Sequence, residues 1–425
     1  MPESRGVVAA GTAGGPQHAG TEAPGDAGTP LTPVRWIWLA AWPVTAVFVL
    51  SNAATPLYVL WQREIGFSQG TLTVIFAFYI LGLLGSLLVS GVVSDRIGRK
   101  PVLLPALALG MAACLIFATA TTVPALVVAR LFSGIAVGAV VSAGMAAVTD
   151  VAGEGRRRLA ALLASSAMVF GAGLGPLLAG VLSEAAPAPT VTVFVLEIAL
   201  LATAFLAVLR MPLRHRTATV KGTWVRIPVV PAGTRLQLVH GMAVFAPGIT
   251  ATSFVLSLGP SLLTGLLGTT SRITAGAMAF SMFLAATGVQ FAVRRLRTRT
   301  ILAAGAVSIV LGTVALITAV RTSSVPLLVT AALLAGAGQG MGQLGGLSLL
   351  NSTVPPHRLA EANAALNVGG YVPAGILPVT AGYLSDAMGL ATATTVFATA
   401  LMACAVLGGL LVLSTGHRAG PPAEG

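Results

Sequence analysis

The sequence predicts an all-α membrane protein with twelve transmembrane helices in two bundles of six, on the basis of composition, apolar segments and an internal repeat. Of its 425 residues, 56% are hydrophobic and only 8% are charged, against about 25% charged residues in typical soluble domains. So few charges cannot cover a water-facing surface, which excludes a soluble enzyme. The net charge of +12 does not indicate nucleic-acid binding, because the basic residues form short clusters between apolar segments.

Twelve apolar segments follow one another along the chain, each long enough for a membrane-spanning helix of about 20 residues. They lie at 36–59, 71–92, 102–120, 124–148, 159–182, 190–210, 236–264, 273–293, 300–320, 325–350, 362–384 and 390–414. The two cysteines, Cys114 and Cys404, fall inside apolar segments. We predict both to be buried packing residues and infer no disulfide.

Composition also divides the chain into domains. The first 33 residues are rich in Gly, Ala, Pro and Thr, which predicts a disordered tail, and they lack the pattern of a signal peptide. The predicted parts are a cytoplasmic N-terminal tail at 1–33, an N-terminal six-helix bundle at 34–211, a cytoplasmic linker at 212–234, a C-terminal six-helix bundle at 235–415 and a cytoplasmic tail at 416–425.

The basic residues predict the orientation. With a cytoplasmic N-terminus, 20 of the 24 Lys and Arg residues fall in the inner tails and loops. The outer loops carry only Arg63, Arg272 and Arg321, and Arg130 lies within a span. Such an inside bias is typical of bacterial inner-membrane proteins and requires an even number of spans.

An internal repeat at a constant offset of 202 residues supports the division into two bundles. Gly134, Gly138 and Gly144 recur as Gly336, Gly340 and Gly346. The pattern P-x-x-A-G-x-L-S-E-A of residues 176–185 recurs at 378–387, with Asp386 in the place of Glu184. Spans 4 and 5 therefore correspond to spans 10 and 11. Parallel repeats of six helices are found in secondary transporters, in which the substrate site lies between the halves.

The loop after span 2 combines glycines with charges. Its pattern consists of Gly91, Asp95, Arg96, Gly98, Arg99 and Lys100. Glycines permit a tight turn and close backbone approach. The spacing closely resembles G-x-x-x-D-R-x-G-R-[KR], the signature of the major facilitator superfamily between helices 2 and 3. The resemblance extends from about residue 34 to 415 and implies the fold of that family.

The resemblance assigns this loop to a conformational latch. It implies that Asp95 contacts the start of helix 11, around 359–363, in the outward-open state, and that Arg99 pairs with Asp150. The alternative is a solvated, topology-setting loop without a latch. The corresponding loop of the second half, 294–299, keeps the positive charge but lacks the acid and the glycines.

Two charged residues inside the spans are candidates for proton coupling. Arg130 begins a segment of span 4 similar to the family motif R-x-x-[QS]-G-x-x-x-[AG], which is linked to proton coupling. Glu197 is the only acid well inside an apolar segment, at a matching depth in span 6. A membrane charge is costly and requires a partner or a water-filled path. A snorkelling structural arginine and a protonated structural acid remain the alternatives.

Span 5 contains Gly171, Gly175, Pro176 and Gly180, which resemble the antiporter motif G-x-x-x-G-P-x-x-G-G of the family, with Ala179 in place of one glycine. In the family this motif accompanies proton-coupled export and seals the interface against proton leak. Ordinary packing between small residues is the alternative.

The resemblance places helices 1, 4, 7 and 10 around a central cavity. The candidate cavity residues are Asn52, Tyr58, Arg130, Gln339, Gln343 and Asn367, the last of them on span 11. Gln339 and Gln343 are four residues apart and share a helix face. Hydrogen bonding between helices is the competing interpretation of these polar side chains.

We therefore predict a monomeric secondary transporter in the bacterial cytoplasmic membrane, with both termini cytoplasmic. It exports a small organic molecule, such as a drug or natural product, by alternating access with protons as coupling ion. The alternatives are an uptake symporter for a sugar, an organic acid or another nutrient and, from another class, a membrane scaffold or sensor. No cofactor, metal or nucleic-acid partner is predicted, since the sequence has no ATP-binding motif and no metal-ligand cluster.

Overall fold

The computed structural model describes residues 33–212, 224–225, 228, 231–265, 268, 270–355 and 358–414, without the side chains of residues 154, 157, 158 and 232. The tail predicted at 416–425, nearly all of the tail at 1–33 and most of the linker at 212–234 lie outside the described residues.

The described chain contains twelve helices that are long and apolar enough to cross a membrane, here numbered α1 to α12. They are Val34–Ile65, Gln69–Ile97, Lys100–Ala118, Val123–Ala152, Leu159–Ala185, Pro189–Arg210, Arg235–Gly265, Arg272–Val293, Thr298–Thr322, Val325–Thr353, Leu359–Met388 and Leu390–Ser414. No strand occurs in the described part of the chain. The predicted all-α fold with twelve spans is confirmed.

α1 departs most from its predicted span, which was expected to end at residue 59. Its regular part ends at Ala53, a short 3-10 turn follows at Thr55–Leu57, and the helix resumes at Tyr58 and continues to Ile65. Pro56 lies in the turn and has no N–H group, so the regular hydrogen-bond pattern cannot pass through it. Gly66, at φ +78°, terminates the extended helix.

The two bundles repeat the same packing pattern. In the first bundle, α2 packs on α4, α1 on α5 and α3 on α6; in the second, α8 packs on α10, α7 on α11 and α9 on α12. The bundles meet along two further pairs, α2 with α11 and α5 with α8, which are exchanged by the same pseudo-symmetry. The internal repeat of the sequence is therefore also a structural repeat.

Successive helices alternate in direction, which gives the molecule two distinct faces. The arginine-rich face carries Arg99 and Lys100 after α2 and the loop 294–297 after α8, whereas the arginine-poor face carries Arg63, Arg272 and Arg321.

The prediction that both cysteines are buried is correct for Cys114 and wrong for Cys404, which is exposed on α12. The prediction for Cys404 is wrong because lipid, and not water, surrounds the outer faces of the helices. In a bilayer an apolar side chain is stable against lipid as well as in the protein interior, so an apolar sequence does not indicate which of the two surrounds it. Leu407 and Leu410 on the same helix are also exposed, by 67% and 58%.

Candidate functional site

Arg130 lies wholly inside the protein, with 0% of its surface exposed. Its Nη1 donates to the backbone oxygen of Ser51 at 2.8 Å, and its Nε donates to the hydroxyl of Tyr58. These two acceptors flank the break in α1, where backbone oxygens lie outside the regular helical pattern. The guanidinium therefore does not snorkel to a membrane surface but connects α4 to both parts of α1.

Aromatic rings surround the Arg130 guanidinium. Its central carbon lies 5.0 Å from the ring centre of Tyr58, 5.7 Å from Phe76, 5.6 Å from Tyr79 and 5.9 Å from Phe117. A ring face attracts a cation by about 0.5–2 kcal/mol, and more when water is excluded. The rings thus stabilise a charge that has no acidic partner within the described chain, while Nη2 makes no hydrogen bond.

The sequence analysis named Tyr58 together with Arg130 as a cavity candidate. It did not identify Phe76, Tyr79 and Phe117 as neighbours of Arg130. Nothing in the sequence distinguishes them from other aromatic residues in apolar segments, because aromatic rings are common in membrane helices whatever they face. Tyr79 lies close to both Ser51 of α1 and Tyr371 of α11. The surroundings of Arg130 therefore extend to the interface between the bundles.

Glu197 on α6 is also buried, with 3% of its surface exposed. Its carboxyl group lies close to the backbone of Leu50, the residue before Ser51, and near Cys114. One carboxyl oxygen, Oε1, has no hydrogen-bond partner. Removing an ionised carboxylate from water is costly unless hydrogen bonds or an opposite charge compensate for it.

Arg130 and Glu197 do not form an ion pair within the described residues. Arg130 bonds to Ser51 of α1, and Glu197 lies beside the preceding residue, Leu50. The same turn of α1 therefore lies next to a buried cation and a buried acid.

The candidate cavity residues do not form a single polar cluster. Asn52 donates to the hydroxyl of Ser51 at 2.9 Å and to the backbone oxygen of Ala172 on α5 at 3.5 Å. Gln339 and Gln343 bond to each other at 3.2 Å and are partly buried. Asn367 lies on α11, one turn from Tyr371, which packs edge-on against Phe245 of α7. The amides of Asn52 and the Gln339–Gln343 pair thus have partners within the protein.

The loop after α2 is organised around Arg99. This side chain bonds to Asp95 at 2.6 Å, to the Ser94 hydroxyl at 2.8 Å and, through Nε, to Asp150 of α4 at 3.0 Å. Burial alone would lower the pKa of the Arg99 guanidinium, but the bonds to Asp150 and Asp95 outweigh it, and the pKa is raised. The expected Arg99–Asp150 contact is present, and its role as a latch remains a prediction.

The other residues of this loop connect it to further elements. Gly98 ends α2 at φ +98°, a conformation that glycine adopts without strain. Lys100 donates to the backbone oxygen of Leu209 at the end of α6 at 2.8 Å. Arg96 stacks over Trp224 in the linker at 4.3 Å. Gly91 is buried within α2. A contact between Asp95 and residues 359–363 also remains a prediction.

The motif in α5 connects two neighbours at once. A side chain at Gly171 or Gly175 would collide with the α1 backbone at Thr45 or Val49. A side chain at Gly180 would collide with the backbone of Arg272 in α8, and the backbone oxygen of Pro176 touches Gly276 of α8. α5 therefore packs on α1 within its own bundle and on α8 across the bundle interface.

Twelve membrane-spanning helices in two repeated bundles, with a buried cation and acid within the membrane, define a secondary transporter. The family model of the Major Facilitator Superfamily matches residues 37–322 and, in a second match, 291–425. The chain belongs to the Major Facilitator Superfamily.

Two curated relatives match part of the chain. The multidrug resistance protein MdtL of Klebsiella pneumoniae is 32% identical over 95 residues, which is 22% of this chain and 24% of that protein. The 3-(3-hydroxy-phenyl)propionate transporter of Escherichia coli is 39% identical over 100 residues, 24% of this chain and 25% of that protein. The matched part thus spans about a quarter of either relative.

The fold is similar to that of a solved bacterial homologue of the human lysosomal transporter Spinster, in an inward-facing and unoccupied conformation. The TM-score is 0.74 at 13% sequence identity, and the match covers 93% of this chain and 100% of that one. The similarity extends over the whole twelve-helix architecture.

Proposed function

We propose that this transporter exports a small organic compound, such as a drug or natural product, in exchange for protons by alternating access. The observation that carries the proposal is the packing of the antiporter-like motif. Pro176 and Gly180 bring the α5 backbone against α8 at the bundle interface, and Gly171 and Gly175 bring it against α1. Backbones in such close contact exclude water and so oppose proton leak during exchange.

The proton site that we propose is Glu197, with Arg130 as the fixed charge that responds to it through α1. When Glu197 is ionised, its negative charge attracts N–H donors and other polar groups near Leu50. When Glu197 is protonated, this attraction is lost. This change in the force on α1 is transmitted to the neighbouring Ser51 and from there to Arg130. The bonds of Arg130 to Ser51 and Tyr58 lie on either side of the break in that helix. Proton uptake and the position of α1 are thereby coupled.

The proposed cargo is neutral or amphipathic. Among the described residues, TM helices other than α4 and α6 contribute few charges away from their ends. Two buried hydroxyl groups of α7, those of Thr250 and Ser261, have no hydrogen-bond partner among the described residues. An unpartnered hydroxyl in an apolar surrounding suits a ligand with a few hydrogen-bonding groups on an apolar body.

An uptake symporter for an organic acid or another nutrient is the second candidate. It is favoured by the relative from Escherichia coli, described as a transporter of 3-(3-hydroxy-phenyl)propionate, whose identity of 39% over 100 residues is at least as high as that of the multidrug resistance protein. A non-transporting scaffold or sensor is disfavoured, because Arg130 and Glu197 would then have no task that compensates for their burial.

We further propose that the arginine-rich face is cytoplasmic, that both termini lie on that side and that the protein resides in the bacterial cytoplasmic membrane as a monomer. The excess of basic residues on one face supports this orientation through the positive-inside rule.

The direction of transport is tested in proteoliposomes that contain a pH-sensitive dye. Members of a compound panel are added outside, and the internal pH is followed. Antiport alkalinises the lumen as substrate enters, whereas symport acidifies it; the second result would replace export by uptake. Arg63→Ala, which alters an exposed arginine, is the matched control for Arg130→Ala. Substrate flux without any pH change would refute proton coupling.

A further inference from the structure

Two acids at the arginine-poor face hold the bundles together there, and neither belongs to the site described above. Asp386, near the end of α11, accepts hydrogen bonds from the backbone N–H groups of Gln69 and Gly70, both at 2.9 Å. These are the first two residues of α2, in the other bundle. A carboxylate on the first N–H groups of a helix satisfies donors that the helix itself cannot, and is attracted by its positive end.

Glu184, near the end of α5, makes the corresponding contact in the opposite direction. Its carboxylate accepts from the backbone N–H of Ile273 at 3.0 Å, in the first turn of α8. Beside it, Arg272 donates to the backbone oxygen of Ser183 at 2.6 Å. An acid of the first bundle thus caps a helix of the second, and an acid of the second caps a helix of the first.

The two contacts are related by the internal repeat. Glu184 and Asp386 are equivalent at the offset of 202 residues. The helices that they cap begin alike: Ser68 accepts from the N–H of Thr71, and Ser271 accepts from the N–H of Thr274, each at 3.2 Å. Each helix start therefore has a cap from its own chain neighbour and a second cap from the opposite bundle.

The fold of a single bundle does not require the second cap. Each capped helix already has its own serine cap and lies at a membrane surface, where water can satisfy the remaining N–H groups. Other functional charges differ between the halves, since Arg130 corresponds to Ala332. An acid that is present in both halves and contacts the opposite bundle in both is explained by a role at the interface.

Glycines allow these acids to approach. A side chain on Gly70 would come within 2.8 Å of the Asp386 carboxylate and 2.6 Å of the Tyr383 ring. A side chain on Gly180, one turn from Glu184, would come within 2.5 Å of the backbone oxygen of Arg272. Both contacts thus lie at points where the helices of the two bundles approach backbone to backbone.

We propose that Asp386 and Glu184 are paired gate residues that hold the arginine-poor side closed, and that both caps break in the same tilting movement that opens this side. The inference rests on the alternating-access transport proposed above. Because each acid belongs to one bundle and its N–H donors to the other, separation of the bundles must break both contacts. The first-turn N–H groups then pass to water, and the carboxylates become hydrated.

The test measures opening of the arginine-poor side without substrate or a proton gradient. Its result is therefore independent of the cargo and of the direction of transport. Cys114 and Cys404 are replaced by alanine, and a single reporter cysteine is introduced at Thr73 or at Ala275, exposed by 0% and 4% respectively. Thr73 touches Gly382 in the α2–α11 interface, and Ala275 lines a narrow cleft with Pro56 and Leu263. A membrane-impermeant thiol reagent is applied to either side of the membrane, and the rate of labelling is recorded.

Asp386→Ala is expected to raise labelling of both reporters from the arginine-poor side by about 3- to 10-fold, the scale of losing one helix cap. Glu184→Ala should act alike, and the double variant should multiply the two factors. Asp386→Asn keeps an acceptor oxygen but not the charge, so its labelling rate should lie between those of the unaltered protein and Asp386→Ala. Glu64→Gln removes an exposed acid on the same face and should leave both rates unchanged.

Two results would overturn the proposal. One is labelling in the alanine variants that equals that of Glu64→Gln. The other is an increase confined to the reporter beside the altered acid, which indicates local fraying of one helix rather than a movement of the bundles. If an alanine variant does not yield folded protein, Asp386→Asn and Glu184→Gln decide by the same two criteria. If the unaltered protein shows no export in proteoliposomes while the variants show increased labelling, the proposed function is refuted and the gate proposal still stands.

Discussion

Arg130 lies in an environment that is costly for a charged side chain. Its charge is separated from water, held by one hydroxyl and one backbone oxygen, and enclosed by aromatic rings. Removal of the guanidinium frees both parts of α1 from α4 and leaves polar groups without partners, which costs about 1–3 kcal/mol for each buried group.

We expect Arg130→Ala to abolish transport while membrane insertion is retained, because the apolar segments that direct insertion are unchanged. Arg130→Lys should restore little, since an ammonium cannot reproduce two directed bonds from one planar group. Transport and the amount of inserted protein are measured in parallel, with Arg63→Ala as the control. Unchanged transport would remove Arg130 from the mechanism.

Glu197→Gln tests the proton site at the same scale. The amide keeps the size of the side chain but cannot titrate, so we expect proton-driven net transport to be lost. Exchange of labelled for unlabelled substrate should persist, because it requires no change of proton occupancy. Both fluxes are measured in the same proteoliposomes, and equal loss of both would indicate a structural role only.

Asp95→Asn removes one of the two carboxylates that bond to Arg99. If Asp95 also contacts the start of α11 in another state, as the family resemblance implies, turnover should fall more than in Asp150→Asn, which disturbs Arg99 alone. The comparison is made by initial transport rates at saturating substrate. Normal turnover of Asp95→Asn would exclude the latch.

At the scale of the element, α5 forms one of the two main contacts between the bundles, through its packing on α8. Its glycines face α1 on one side and α8 on the other, with helix backbones in direct contact. A side chain introduced there cannot be accommodated by rotation of a neighbour, because the obstacle is backbone. Overpacking of this kind costs about 1–3 kcal/mol.

We expect Gly175→Ala to increase the passive proton permeability of proteoliposomes, because the added methyl group would separate α5 from α1 at Val49. Gly288→Ala on α8 is the matched control, since a side chain there meets nothing within 4 Å. Decay of an imposed pH gradient provides the measurement. Identical decay in the two variants would contradict the sealing role.

At the scale of the whole molecule, the close contacts at the arginine-poor face are those that must part in the proposed alternating-access cycle. Among the described residues, two hydrogen bonds join the bundles at Asp386, and two more join them at Glu184 and Arg272. The acid caps of Asp386 and Glu184 are related by pseudo-symmetry. In the proposed cycle, a rigid-body tilt that opens this face breaks both contacts while the opposite face closes.

The topology is tested by labelling of exposed positions. Cysteines in place of Ile97 and Leu296, exposed by 43% and 49%, lie after α2 and α8. They should react with an impermeant reagent from the same side of the membrane, and a cysteine in place of Ser323 after α9 from the other side. Reaction of Ile97→Cys and Leu296→Cys from opposite sides would end the two-bundle model.

Much of the fold could be predicted from the chain alone. Hydropathy and charge vary with the depth of a residue in the membrane, so both can be read directly from the sequence. They predict the twelve spans and the alternating direction of successive helices, and the spacing of residues predicts the internal repeat. Motif patterns point to Gly98 and to the glycines of α5. Depth also identified Arg130 and Glu197 as a pair of candidates.

Only the tertiary structure decided what each helix face meets. Lipid and protein interior are both apolar, so a span of given hydropathy can be rotated about its axis without any change in its sequence pattern. For this reason the prediction that Cys404 is buried is wrong, and the sequence does not reveal the rings around Arg130 or the bond from Arg130 to Ser51 of α1. The reciprocal caps by Asp386 and Glu184 depend on contacts between residues of opposite bundles, which no local pattern encodes.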